Sequence, residues 1–174
     1  MRLKLERICG LNALTHESAI MSTTFAATHE TNTSRINTLI QTLKDGEAGF
    51  LAAATDVVNP DLKSTFHHYA IQRRKFATEL QMLVVREGEA PESSGSLSGA
   101  AHRGWMSVRS VVSAHEDSAI LEECERGEDS AVVAFKDALS DVKLGAAKSI
   151  VDTQFTEIRK AHDHIRKLRD QHRA

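Results

Sequence analysis

Glu47, Glu128 and Glu157 are carboxylates set on or beside apolar helical stripes, and three such groups meeting at one depth could hold a divalent cation. Glu128 is the sharpest case. Ile120, Cys124, Ala131, Phe135 and Leu139 recur around it at helical spacing, and Glu128 falls four residues after Cys124 and three before Ala131. A helix buries its apolar stripe. An isolated charge taken inside costs several kcal/mol, so a carboxylate there must be paired, protonated or bound to a cation. Glu47 fills the missing step between Leu43 and Phe50 on a second stripe. Gln72 and Arg73 interrupt a third, and Gln154 a fourth, with Glu157 on a flanking row.

Four long helices must position these groups. The spacing predicts the first from near Asn32–Ser34, with stripe Ile36, Ile40, Leu43, Phe50, Ala54 and Val57. Asn59-Pro60 ends it and opens the second, since proline is tolerated in a first turn. The second runs to about Arg86 on Leu62, Phe66, Tyr69, Phe76, Leu80 and Leu83, and Gly88 stops it. Residues 87–99 read as loop, long for a bundle connection. Residues 100–113 predict a short extra helix with Trp105 as a packing anchor. Asp117 or Ser118 can cap the third long helix, which ends near Ser140. Gly127 inside it costs about 1 kcal/mol against alanine, which suggests close helix approach or a local adjustment beside Glu128. The fourth runs from about Asp141 to Asp170 on Leu144, Ala147, Val151, Ile158, Ala161, Ile165 and Leu168.

Residues 1–33 stand apart as a flexible lead-in, small and polar from Ser22 to Thr33, and Met21 would serve as well as Met1 for a start. Residues 34–174 form the bundle domain. Alanine, leucine, glutamate and lysine with only two prolines favour helix over a sandwich or barrel. A formal net charge of −2 carries no signature of nucleic-acid binding. Cys9 and Cys124 lack metal-type spacing, and a reducing, cytoplasmic setting fits them. No apolar run approaches a membrane span. Neither a phosphate-binding loop nor a dinucleotide fingerprint is present. His67, His68, His162 and His164 read as surface or partly buried side chains, although His68 lies one turn before Gln72 and could reach inward.

The order of elements, with the phrases AIQRRKFATEL, ILEECERGEDSAV and AHDHIRKLRD, resembles a family of small bacterial ferritin-like four-helix-bundle proteins with no assigned function, over about residues 36–172. Four long segments of similar length fit an all-α, up-down-up-down bundle with the short extra helix in the second connection, and the resemblance implies a ferritin-like frame for it. The wider superfamily includes di-iron carboxylate proteins, with single glutamates on two helices and Glu-x-x-His on the other two. Glu47 and Glu128 match the single-carboxylate positions. The other two helices read Gln72-Arg73-Arg74-Lys75 and Gln154-Phe155-Thr156-Glu157, so both histidines and both leading glutamates are absent. Amides and cations are poor ligands for a divalent metal.

The preferred expectation is a degenerate di-metal site: a metal-free polar network in which Gln72, Arg73 and Gln154 answer Glu47 and Glu128. No cofactor goes with it. The alternative holds iron or manganese between Glu47, Glu128, Glu157 and a histidine, in a carboxylate oxidase or metal-storage protein. In the plainest alternative these side chains lean out to solvent. The functional expectation is a non-catalytic interaction or stress-associated protein that self-associates, as a dimer, without nucleic acid or membrane.

Overall fold

Asn59 and Pro60 set the first corner. The Asn59 side-chain oxygen accepts the N–H groups of Asp61 at 2.8 Å and Leu62 at 3.3 Å, two of the donors that every helix start leaves open. Pro60 occupies the first turn behind it. The computed structural model describes residues 12–94, 117–140 and 142–173, with side chains from Asn32 onward apart from those of residues 142, 143 and 146. Four α-helices account for most of it: α1 (Asn12–Asp56), α2 (Pro60–Arg86), α3 (Asp117–Ser140) and α4 (Lys148–His172). No strand occurs among the described residues. The expected short helix over 100–113, Trp105 included, lies outside them.

Helix α1 starts at Asn12, so the expectation of a helix beginning near Asn32–Ser34 is corrected. Residues 12–33 contain no glycine or proline, and once a helix exists each added residue gains a hydrogen bond. Caps are needed only where a helix has to stop, and the polar threonines and asparagines of this region do not stop it.

At the other end of α2 the sequence expectation holds. Gly88 adopts φ 81°, a left-handed conformation that glycine takes without a Cβ penalty, and the Glu89 N–H donates to Val84 O. Between α3 and α4 the chain forms a 3₁₀ segment (Val142–Ala147) with Gly145 at φ 51°. The fourth helix therefore begins at Lys148 rather than near Asp141. Leu144 and Ala147, read as part of its stripe, are buried from the 3₁₀ segment instead.

The up-down-up-down order is also corrected. Asp117, at the start of α3, accepts the backbone N–H groups of Val58 at 2.9 Å and Asn59 at 3.1 Å. So α3 starts at the end of the bundle where α1 turns into α2. Glu92, just past α2, lies at the opposite end, where its N–H donates to Asn37 and its carboxylate accepts from Gln41. That carboxyl is lowered from 4.5 to about 2 by the backbone N–H and hydroxyl of Ser94 and by Gln41. Glu92 and Asp117 thus lie at opposite ends of the bundle. Helices α2 and α3 run parallel, and α1 and α4 run antiparallel to both. Asp117, read from the sequence as a cap of its own helix, ties the start of α3 to the corner between α1 and α2.

Side-chain bonds give the order around the bundle. Helix α1 adjoins α2 through Arg74–Glu47, α2 adjoins α4 through Tyr69–His164, and α4 adjoins α3 through Arg169–Glu125. The core divides into two apolar clusters. One surrounds Leu43, Leu80, Phe135 and Ile158 towards the Glu92 end. The other surrounds Phe50, Phe66, Leu121 and Ile165 towards the Asn59 turn. Between them lies the polar layer that contains Glu128.

Candidate functional site

Arg73 and Glu128 meet across the bundle diagonal. The Arg73 side chain is 1 % exposed and that of Glu128 2 %. Arg73 Nη2 donates to Glu128 Oε2 at 2.5 Å, and its Nη1 donates to Gln72. The guanidinium lies 5.8 Å from the Phe50 ring centre, a cation–π distance, and its Nε has no partner. Its aliphatic stem passes Gly46 of α1, where a Cβ would touch it at 3.5 Å, ordinary contact. An arginine reaches this depth because its long stem packs as an apolar side chain while its head finds a carboxylate.

Burial pushes the Glu128 carboxyl above its ordinary 4.5, and Arg73 opposes that shift by charge and hydrogen bond. The same setting pushes up the Cys124 thiol, one turn earlier on α3, by burial and then by the charges of Glu128 and Glu123. A thiolate is the reactive form of cysteine, so Cys124 acts here as a small apolar side chain. Tyr69 packs beside this layer, and burial followed by the Glu128 charge raises its phenol. Its hydroxyl lies 2.7 Å from His164 Nδ1.

The other residues singled out in the sequence do not join the pair. Glu47 binds Arg74 Nε at 2.6 Å on the α1–α2 surface, so its answering cation is Arg74 and not Arg73. Glu157 binds Lys160 at 2.7 Å on the outside of α4. Gln154 is buried, but about one turn further along. Its amide nitrogen donates to Phe76 O at 3.2 Å and Glu79 Oε2 at 3.0 Å, while its oxygen is left without a partner. The single network expected from the sequence is thus two polar contacts stacked along the bundle. Spacing along one helix predicts depth only to within a turn, and the pairing depends on the relative register of two helices. Gly127 makes no close approach: a Cβ there would meet nothing within 4 Å. His68, which could have reached inward, is exposed and lies edge-on to Tyr69.

This donor set does not suit the di-metal centre that the ferritin resemblance brings to mind. Of the three carboxylates, the buried Glu128 faces a guanidinium, and Glu47 and Glu157 are held by separate surface cations. Among the described residues no three His, Cys, Asp or Glu side chains come close enough to hold a metal ion.

His162 bridges α4 to α3. Its Nε2 lies 2.9 Å from Asp129 and its Nδ1 3.1 Å from Asp163. Burial alone would lower its pKa, but hydrogen bonds and charge from Asp163 and Asp129 outweigh it and raise the group above 6.5. A raised folded-state value adds stability that is fully present below the unfolded value and is lost as pH rises through the folded one. The stability gap between the wild type and His162→Gln is therefore largest below about pH 6.5 and shrinks above it. Urea unfolding at a series of pH values checks this, and a gap that widens with pH would contradict it.

Against known proteins, residues 31–141 match the family described as a domain of unknown function, DUF2383. The chain belongs to that family. No curated protein matches it. A crystal structure of a conserved hypothetical protein, Rv2844, from Mycobacterium tuberculosis is similar in fold, with a TM-score of 0.58, 13% identity, and coverage of 78% of this chain and 97% of that one. The family match takes in Glu47, Gln72, Arg73 and Glu128. Gln154 and Glu157 lie beyond it. Sequence reading missed Tyr69–His164, Glu79 and the Phe50 ring under Arg73. The signal for the first was a polar-ended side chain on each of two antiparallel helices, but only their register shows that they meet.

Proposed function

We propose that this protein is a non-catalytic, self-associating helical-bundle protein on a ferritin-like frame, in which an internal ion pair stands where related frames hold metal. The observation that carries this reading is the contact of Arg73 with Glu128 at 2.5 Å in the closed interior. A guanidinium is a permanent cation that binds carboxylate through a fixed fork. It supplies the positive charge Glu128 needs and takes up the space and lone pairs a metal ion would use. The frame itself is supported by connectivity: two antiparallel helix pairs joined by one long crossover is a ferritin-like order. A reducing, cytoplasmic setting belongs to this reading and is supported by the buried free thiol of Cys124.

Metal analysis of the full chain, purified from cells grown with added iron and manganese, tests the proposal. The expected result is far less than one metal ion per chain, unchanged in Glu128→Gln. Stoichiometric iron or manganese that is lost in Glu128→Gln would establish the alternative, a carboxylate oxidase or metal-storage protein.

A further inference from the structure

The charges of the four helices are not mixed around the bundle. With the buried Glu128 and Arg73 left aside, helix α3 carries six acidic residues against two basic, and α1 from Asn32 onward carries three against two. Helix α2 then carries four basic against two acidic, and α4 six against four. Because α1 neighbours α3 and α2 neighbours α4, one side of the bundle is acidic and the opposite side basic.

Each side also has apolar surface in a matching form. Between α1 and α3 runs an open groove of about 560 Å³, with Leu39 and Val133 in its lining; its charged groups are Asp137, Arg35 and Asp129, the last also bonded to His162. Val133 is 57 % exposed. On α2, Ile71, Met82 and Val85 are 65 %, 52 % and 58 % exposed. They are separated by eleven and three residues, so they form one outward ridge, flanked by the exposed cations Lys75 and Arg86. Large apolar side chains clustered on one surface mark an interaction site more often than singly scattered ones.

We infer that the acidic α1–α3 groove of one copy receives the basic, apolar α2 ridge of a second copy. The contact is head-to-tail: the two surfaces differ, so each copy offers a free groove and a free ridge after pairing. Like-charged faces repel, which disfavours groove against groove and ridge against ridge. The inference rests on the self-association proposed above and gives it a surface and a polarity. Attraction between exposed charges is screened within about 8 Å at physiological salt, so association weakens as salt rises while the apolar contact persists.

Sedimentation velocity and light scattering on the full chain test it, with circular dichroism to confirm folding. The wild type is expected to associate with rising concentration, and less so in high salt. Asp137→Lys reverses the groove, and Lys75→Glu with Arg86→Glu reverses the ridge. Each variant alone is expected to lose at least tenfold in association. Mixing the two variants restores a complex, because an intact groove meets an intact ridge. Met82→Ser and Val133→Ser provide a second pair that tests the apolar contact without changing the charge of either surface. A strictly monomeric wild type would overturn self-association itself. A wild type that associates, with variants that associate equally well or are not rescued by mixing, would overturn this interface and leave self-association standing.

Discussion

Arg73→Met will destabilise the bundle by about 3–5 kcal/mol, and Glu128→Leu in the same chain will recover most of that loss. Removing one partner leaves the other charge without its counter-ion in an interior that is closed to water. Removing both leaves apolar side chains between two apolar clusters. For a domain of this size the single change corresponds to a fall in Tm of roughly 6–20 °C. Glu128→Leu alone carries a similar cost, because it strands the guanidinium. The loss in Arg73→Met also has a pH signature. Burial raises the Glu128 carboxyl above 4.5 even with Arg73 opposing it, so without Arg73 the folded state prefers the protonated form more strongly. A raised carboxyl favours folding at low pH and loses that stability as pH rises from the unfolded value through the folded one. The gap between wild type and Arg73→Met therefore widens from about pH 4.5 upward. Urea unfolding of the four chains of this double-mutant cycle measures the coupling. If the single changes cost no more than the double, the ion pair is not a desolvated one.

Phe135→Ala will cost about 3–5 kcal/mol, the range for truncating a buried aromatic side chain. Phe135 is fully buried in the cluster on the Glu92 side of the polar layer, and it stacks on Phe155 of α4 with ring centres 6.5 Å apart. It lies two turns after Glu128 on the same stripe of α3. Its removal takes out the anchor that fixes the depth of α3 against α4, as well as its own contacts. The salt links Glu125–Arg169 and Glu122–Arg173 on the outside of that helix pair do not compensate, since partly exposed ion pairs contribute about 1 kcal/mol or less each. The same unfolding measurement checks the size, and a loss under about 1 kcal/mol would mean that the site collapses around the vacancy.

The buried stripes were legible in the residue pattern, and so was the anomaly at Glu128. Ile120, Cys124, Ala131 and Phe135 are all inside, and the glutamate among them is inside with them. The corner at Asn59-Pro60 and the stop at Gly88 follow from local chemistry: one side chain that caps, one ring that fixes φ, and one residue without a Cβ. The extent of α1 was not legible, because nothing in residues 12–33 forbids helix even though much of it invites a loop. The start of α4 was misplaced because Leu144 and Ala147 keep helical spacing through a segment that Gly145 breaks.

The partners of Glu128 and the path of the chain needed the folded molecule. Arg73 and Arg74 are adjacent, and either could answer a carboxylate. The direction in which each leaves α2 sends Arg73 through the core to Glu128 and Arg74 across the surface to Glu47. Similarly, only the bonds of Asp117 to Val58 and Asn59 show that α3 starts at the end of the bundle where α2 starts. By itself, the sequence determined that the protein is helical, where most of its helices turn, and that a carboxylate would be buried on α3. These are short-range matters, fixed by periodicity and by the backbone preferences of single residues. Tertiary structure alone decided which cation meets that carboxylate, that Glu47 and Glu157 stay outside, and that α2 and α3 run the same way. Those depend on the relative register and direction of separate helices, which no spacing along one chain segment encodes.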